Sequence, residues 1–233
     1  ANPVFINTSR TVRARVIKSG FLPGPVVSNS YLLNANHTLP VVFVSTDPYN
    51  LWDQDYGIYV MGRNASPSYP YFGANFWQDW ERPANIAMYE PDGKMAFNID
   101  AGIKIFGSWS RGQNQKALSI HARNVYGDDG IHYKIFEEKA IDRFETIVLR
   151  NSGNDFNNTM IRDAYCNRIS ASLGLDQQAY RPAVVYMNGE YWGIQNIREK
   201  VNEEFIASNH GVDEDMVDLL EGNAIAIRGN ADH

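Results

Sequence analysis

The dipeptide Asn188-Gly189 constrains the fold of this chain more than any other short feature. Asn-Gly between two strand-like runs is the strongest short signal for a β-hairpin, because both residues tolerate the positive φ angles of the turn. Here it lies between the runs 182–187 and 191–197. The sequence therefore predicts an antiparallel pair of strands at this place.

Further short runs, separated by glycine, proline and asparagine, predict more strands. Residues 11–17 alternate apolar residues with arginine, which indicates a half-buried strand. Residues 39–46 begin with a continuous apolar stretch, which indicates a strand buried on both faces. The other predicted strands lie at 26–33, 86–88, 95–99, 101–107, 116–123 and 145–150.

Two helices are predicted near the end of the chain. The first starts after Asn158 or Thr159 and ends at Gly174, and a repeat of every fourth residue indicates a face that packs on the core. That face carries Ile161, Tyr165, Ile169 and Leu173. The second runs from Asn202 to Gly211 with two glutamates in its first turn. The predicted fold class is α+β, a mostly antiparallel sheet with a few helices.

The length of 233 residues allows one large domain or a domain with a smaller piece. The polar linker before the run at 39 places a boundary near residue 36. Residues 1–36 are then either the closing strands of a β-sandwich-like module or strands added to the main sheet. The absence of an initiator Met and the end at His233 predict a piece of a longer protein.

The composition and net charge exclude several classes of binding partner and of covalent or metal site. With 21 Lys and Arg against 27 Asp and Glu, the net charge is −6 and the pI is near 5.4, so nucleic acid is not the expected partner. No stretch reaches the roughly 20 apolar residues of a membrane helix, so no membrane partner is expected. The single cysteine, Cys166, excludes an internal disulfide and a cysteine-based zinc site.

The segment 102–116 is the sharpest candidate for chemistry. Two predicted strands are joined there by a polar loop, in which Gly107 lets backbone N–H groups approach an anion. Arg111 and Lys116 add positive charge at the same end. This pattern is typical of a phosphate-binding hairpin like the glycine-rich loop of protein kinases. The alternative is a polar hairpin with two solvated cations.

Asp163, in the first turn of the first predicted helix, is the candidate partner for Lys116, since a kinase lysine needs a carboxylate to hold it. The alternative for Asp163 is compensation of the helix dipole. The pair Asp128-Asp129 lies in a Gly-Asp-Asp-Gly turn and is interpreted as turn-forming.

A long aromatic segment, residues 62–82, has no periodicity. It is predicted to cover the core, and its alternative role is binding. A second functional hypothesis therefore makes the chain a non-catalytic extracellular module that binds a glycan or a partner protein. The aromatic residues proposed for it are Trp52, Trp77, Trp80, Tyr69 and Tyr71.

Taken together, several strings resemble the CotH kinase family, the atypical protein kinases related to spore coat protein H. They cover about residues 39 to 222 in the family's order. The matching stretches are Leu39-Pro-Val-Val, Asp100-Ala-Gly-Ile-Lys-Ile-Phe-Gly, Ser110-Arg111, Gln115-Lys116, Val148-Leu-Arg-Asn-Ser-Gly-Asn-Asp155, Ile161-Arg-Asp163, Gln178-Ala-Tyr-Arg-Pro182, Asn188-Gly-Glu-Tyr-Trp-Gly193, Arg198-Glu-Lys200 and Val217-Asp-Leu-Leu-Glu221.

The resemblance implies a secreted or cell-surface, bacterial protein kinase that transfers phosphate from ATP to serine or threonine of a protein substrate. It implies a fold like an atypical kinase N-lobe for a C-terminally truncated domain over 37–233, preceded by the end of a chitobiase C-terminal-type β-sandwich. Lys116 and Asp163 would be catalytic. The nucleotide-binding residues would be Gly107, Ser108, Arg111, Lys116, Arg198 and Glu199.

The resemblance also implies Mg²⁺ as a cofactor, but no metal ligand is assigned within this chain. The family's catalytic and magnesium-binding aspartates are expected after His233. Without them the developing charge of phosphoryl transfer would not be stabilised, so the fragment alone is expected to be inactive or nearly so.

Overall fold

A computed structural model describes residues 3–231 of the chain. Strands account for most of its regular structure. In chain order they are β1 Arg10–Ala14, β2 Val27–Tyr31, β3 Val41–Ser45, β4 Arg82–Tyr89, β5 Met95–Phe106, β6 Ala117–His121, β7 Ile131–His132, β8 Arg143–Phe144, β9 Thr146–Arg150, β10 Tyr180–Met187, β11 Glu190–Glu199, β12 Leu219–Glu221 and β13 Ile225–Arg228. The α-helices are α1 Pro48–Trp52, α2 Arg162–Ser170 and α3 Glu203–His210. The predicted α+β class, rich in antiparallel sheet, is confirmed.

The main sheet closes into a barrel in the order β10-β11-β9-β6-β5-β4-β3. All its neighbours pair antiparallel except β3 and β10, which run parallel and close the ring. Closure leaves the sheet with no free edge in this ring. The strand predicted at 39–46 is confirmed, and every residue of β3 is buried.

The interior of the barrel is apolar because alternate side chains of each strand point inward. These inward residues form one continuous cluster with exposures of 8 % or less. The strand residues of this cluster include Val42, Val44, Ile86, Met88, Ile103, Ile105, Leu118, Ile120, Ile147, Leu149, Val185 and Ile197.

The predicted Asn-Gly hairpin is confirmed between β10 and β11. Asn188 and Gly189 have φ angles of 51° and 87°, as the turn requires. A Cβ atom on Gly189 would come within 2.6 Å of the Arg10 Cα, so glycine also allows β1 to pass close to this turn.

The two predicted N-terminal strands are present as β1 and β2, and among the strands of the described residues they pair only with each other. Their contacts with the barrel include a hydroxyl pair between Thr11 and Ser45 at 2.9 Å. The hairpin of β1 and β2 therefore does not extend the main sheet by backbone hydrogen bonds. Its assignment to a separate sandwich module remains a prediction.

The aromatic segment 62–82 covers one end of the barrel, which agrees with the first of its two predicted roles. Phe76 is buried, and Trp77 and Trp80 pack against the core. Arg82, at the start of β4, fixes the segment by donating to the Tyr56 carbonyl at 2.7 Å and stacking 3.6 Å from the centroid of the Tyr56 ring. Tyr69 and Phe72 remain exposed.

The prediction that the first helix packs on the core is wrong. Helix α2 is shorter than predicted and has no buried residue. The four residues assigned to its inner face are 52–70 % exposed: Ile161, Tyr165, Ile169 and Leu173. Gly174, where the predicted helix ends, adopts the left-handed conformation common after helices, with a φ of 69°.

The second predicted helix is confirmed as α3. The Asn202 side chain accepts from the Phe205 N–H and caps its first turn. The carboxylate of Glu204 accepts from the backbone N–H groups of Glu145 and Thr146, which attaches α3 to the start of β9.

A matched pair of leucine substitutions tests the exposed position of α2 and the turn that follows it. Leu118→Ala removes a fully buried side chain and should lower the free energy of unfolding by about 2–5 kcal/mol. Leu173→Ala, at a residue that is 70 % exposed, should change it by less than about 0.5 kcal/mol. Urea unfolding measures both values, and equal losses would contradict the described packing.

Candidate functional site

The candidate site lies at one rim of the barrel, where the turn between β5 and β6 meets the end of β9. Phe106 pairs with Ala117 across the first two strands, and Leu118 pairs with Leu149 across the next two. Since Leu149 points inward, its neighbour Arg150 points outward, to the side that Phe106 and Ala117 share. Three strands thus place these side chains around one cleft.

The cleft has a volume of about 540 Å³, within the range of small-molecule sites. Its lining residues include Gly107, Ser108 and Ser110 from the turn, together with Arg150 and Asn154. No carboxylate is among the lining residues. A guanidinium, hydroxyls and an amide in one concave surface are suited to an anion, because all of them donate hydrogen bonds.

Glycines shape both walls of the cleft. Gly107 has a φ of 105°, and a Cβ atom there would lie 2.7 Å from the Ser110 hydroxyl oxygen. On the opposite wall Ser152 and Gly153 follow each other with φ angles of 68° and 57°. Backbone turned in this way lets main-chain N–H groups contribute to anion-binding concavities.

Arg150 is one of two arginines that share a single carboxylate. Its Nε lies 3.3 Å from Asp163 Oδ2, and Arg198 Nη1 donates to the same oxygen at 2.9 Å. The Arg198 side chain is 1 % exposed, and burial lowers its pKa while Asp163 opposes that shift. Within this trio the formal charge is +1, and Arg150 is the member that lines the cleft.

Arg111 and Lys116 do not line the cleft. The Arg111 Nε donates to the Gly107 carbonyl at 2.5 Å, and its Nη1 donates to the Phe76 carbonyl at 3.2 Å. The ammonium of Lys116 donates to the carbonyls of Arg111 and Gln113, each at 2.8 Å. These bonds fix the backbone of the glycine turn.

Lys116 is buried, and no carboxylate within residues 3–231 forms an ion pair with it. Its Nζ lies 3.9 Å from the centroid of the Phe76 ring, and its backbone N–H donates to the Tyr59 hydroxyl at 2.7 Å. Burial lowers the pKa of Lys116 to about 8, because an apolar surrounding disfavours the charged form.

The predicted pair between Lys116 and Asp163 is not formed. Lys116 lies two residues before the inward Leu118 and four before the inward Ile120, so its side chain is on the same face and enters the barrel. Asp163 lies outside, at the start of α2, where it pairs with the two arginines. The alternation along the strand therefore keeps the two groups apart.

The predicted nucleotide-binding set is divided among four places, one of which is that of Arg111 and Lys116 on the carbonyls of the turn. Gly107 and Ser108 line the cleft, whereas Arg198 supports it from behind through Asp163. Glu199 points to the opposite face of β11 from Arg198. There its carboxylate accepts from Lys139 Nζ at 2.5 Å and from the Ala179 N–H at 2.7 Å.

The residues selected from the sequence as site candidates do not include Arg150, Asn151, Gly153 or Asn154. Asn151 does have a structural role, since its amide donates to the Gln115 carbonyl at 2.7 Å. A signal for Arg150 was present: a lone cation ends an apolar strand and precedes Asn-Ser-Gly-Asn.

Within residues 3–231 there is no group of three or more His, Cys, Asp or Glu side chains placed to hold a metal ion. Over the same residues no helix has the length and apolar character needed to cross a bilayer.

Comparison with protein families matches residues 103–232 to the family described as CotH kinase protein. The match covers more than half of the 233 residues, including both walls of the cleft. The chain belongs to the CotH kinase protein family. Membership supports a kinase-related function for this CotH domain, which the resemblance of its motifs had predicted. A search of curated proteins found no match.

The buried ammonium of this CotH domain predicts a pH dependence of stability. The pKa of Lys116 is about 8 in the folded chain against 10.5 as its ordinary value. The folded state therefore binds fewer protons between these values, so the free energy of unfolding rises with pH across this window. Relative to Lys116→Met, the wild type should gain about 1–2 kcal/mol between pH 7 and roughly pH 9.5.

Urea unfolding at both pH values measures that gain. The exposed Lys134 supplies the control, since the difference between wild type and Lys134→Met should stay constant with pH. A constant difference for Lys116→Met as well would show that its amine is not held in an apolar surrounding.

Proposed function

We propose that the chain is the ATP-binding part of a CotH-like protein kinase that phosphorylates serine or threonine of secreted or cell-surface proteins. Two findings support this proposal: membership of the CotH family and a cleft whose lining is rich in donors and lacks carboxylates. The second carries the placement of the nucleotide, because phosphate oxygens accept hydrogen bonds and are repelled by a carboxylate that no cation bridges to them.

In this proposal the phosphates lie between the two glycine-shaped walls. Arg150 supplies the charged contact, and a guanidinium can bind phosphate oxygens in a bidentate manner. The Ser108 and Ser110 hydroxyls and the Asn154 amide supply neutral donors. Asp163 and Arg198 orient Arg150 without contacting the nucleotide.

Phe106 and Ala117 add apolar surface to the same cleft, which the rings of Tyr69 and Trp109 also line. They give a planar base a surface to pack on, and Ala117 leaves room for it because its side chain is small. The base is therefore placed along the strands, so that the phosphates extend towards the turn. Arg198 and Glu199, which the family resemblance assigned to nucleotide binding, do not contact the base in this arrangement.

Lys116 and Arg111 act on the nucleotide through the turn. Both donate to main-chain carbonyls of the segment 107–113, so they fix its conformation before a ligand binds. Preorganised donors bind more tightly because less conformational entropy is lost on association. We assign both residues as positioning residues.

Magnesium belongs to the proposed reaction, in which it would neutralise charge on the phosphates. The lining residues of the cleft contribute no carboxylate to hold it, so no metal ligand is assigned among them.

A non-catalytic scaffold that binds a glycan or a protein is the second candidate function. Its support is the exposure of Trp52 and Tyr69, which are 43 % and 45 % exposed. The partial burial of Tyr71, Trp77 and Trp80 against the core removes three of the residues first assigned to it.

Replacement of Arg150 tests the phosphate site. Arg150→Gln should weaken ATP binding at least about tenfold, the usual cost of losing a hydrogen bond to a charged group. Binding of adenosine, which has no phosphate, should stay within about twofold of the wild-type value. Isothermal titration with each ligand measures both effects.

Arg168→Gln is the matched control, since it removes the same charge from an exposed position on α2. It should bind ATP as the wild type does. Equal ATP affinity of the Arg150 and Arg168 variants would overturn the placement of the phosphates.

A further inference from the structure

Three exposed aromatic rings form a cluster beside the cleft. Tyr69, Phe72 and Trp109 are 45 %, 52 % and 56 % exposed, and we call them the aromatic platform. The ring centroids of Tyr69 and Phe72 lie 6.2 Å and 6.1 Å from that of Trp109. Grouped exposed rings are characteristic of recognition surfaces, whereas single exposed apolar residues are common.

The platform is held in place by bonds that leave its ring surfaces accessible. The Tyr69 hydroxyl donates to the Trp109 carbonyl at 2.8 Å. Phe72 packs 4.8 Å from Trp77, whose indole N–H donates to the Pro70 carbonyl at 2.8 Å. Gly112 provides the space for Tyr69, since a Cβ atom there would lie 2.7 Å from the tyrosine ring.

The angles between the rings favour a compact apolar group as the ligand. The plane of Trp109 is tilted by 55° from Tyr69 and by 85° from Phe72, so the three rings do not present one flat face. A sugar ring stacks best on one flat and open face. A proline ring or an aliphatic or aromatic side chain can contact several inclined rings at once.

The platform is continuous with the cleft, because Tyr69 and Trp109 also line the cleft. In the arrangement of the nucleotide given above, the base lies along the strands and the phosphates extend towards the turn that carries Trp109. The terminal phosphate therefore faces the platform. A hydroxyl that accepts this phosphate must approach from the same side.

We propose that the platform binds an apolar or proline residue of the acceptor polypeptide, within three residues of the serine or threonine that is phosphorylated. This inference rests on the proposed nucleotide site. Three residues of extended chain span roughly 10 Å. This length is enough to connect the cleft and the platform, since Tyr69 and Trp109 belong to both. The platform would thus select the sequence around the acceptor.

A set of fluorescent nonapeptides tests the inference on the full 233-residue chain in the presence of ATP. Each peptide has a central serine flanked by glycine and asparagine, with leucine, phenylalanine or proline placed at one of the three positions on either side. Fluorescence anisotropy should show at least about fivefold tighter binding of some apolar-substituted peptides than of the unsubstituted peptide.

Variants of the platform should remove this preference. Trp109→Ala deletes a ring, and Gly112→Val keeps all three rings but displaces Tyr69. Tyr191→Ala is the control, since Tyr191 is a similarly exposed aromatic residue, at 58 %, in the β10–β11 hairpin. It should retain the preference of the wild type.

ATP titration of the same proteins separates the two proposals. ATP binding without any peptide preference would overturn the platform and leave the nucleotide site standing. A preference that depends on Trp109 without ATP binding would keep the peptide site and overturn the nucleotide site. Glycan-array binding that is lost in Trp109→Ala, with no peptide preference, would overturn the polypeptide as the ligand.

Discussion

Closure of the sheet by the parallel pairing of β3 with β10 is the constraint on which the rest of the structure depends. Alternate side chains of its strands fill the interior with one continuous apolar cluster. At one rim the turn after β5 and the end of β9 lie side by side. The cleft is a consequence of that arrangement, and its walls need glycine because two chain segments bend sharply there.

The distribution of charge follows from the same geometry. Lys116 enters the barrel and Arg111 folds against the covering aromatic segment, so main-chain carbonyls take up the donors of both. Asp163 is shared between Arg150 and the buried Arg198, so one carboxylate faces two guanidinium groups. A net positive charge therefore remains at the cleft, on Arg150. The positive charge that faces a ligand thus comes from Arg150 at the end of β9, and the cations within the turn segment stabilise its shape.

Local features of the fold were predictable from the sequence, whereas the long-range pairing of strands and the surface against which a helix packs were not. The Asn188-Gly189 turn and the Asn202 cap depend on a few neighbouring residues, and both are confirmed. The parallel pairing joins Val41 to Val184, far apart in the chain, which no local pattern reveals. The apolar repeat of α2 defines a face but not what covers it. The inward direction of Lys116 could have been predicted, because Lys116 lies two residues before Leu118 and therefore on the same face of the strand.

The most direct test of the account is a crystal structure of the chain with a non-hydrolysable ATP analogue. The account predicts phosphate oxygens about 3 Å from the Arg150 guanidinium and beside the turn at Gly107 and Ser108, with the Lys116 ammonium still on the carbonyls of Arg111 and Gln113. Phosphates bound elsewhere, or contacted by Lys116 while Arg150 contacts only Asp163, would contradict it.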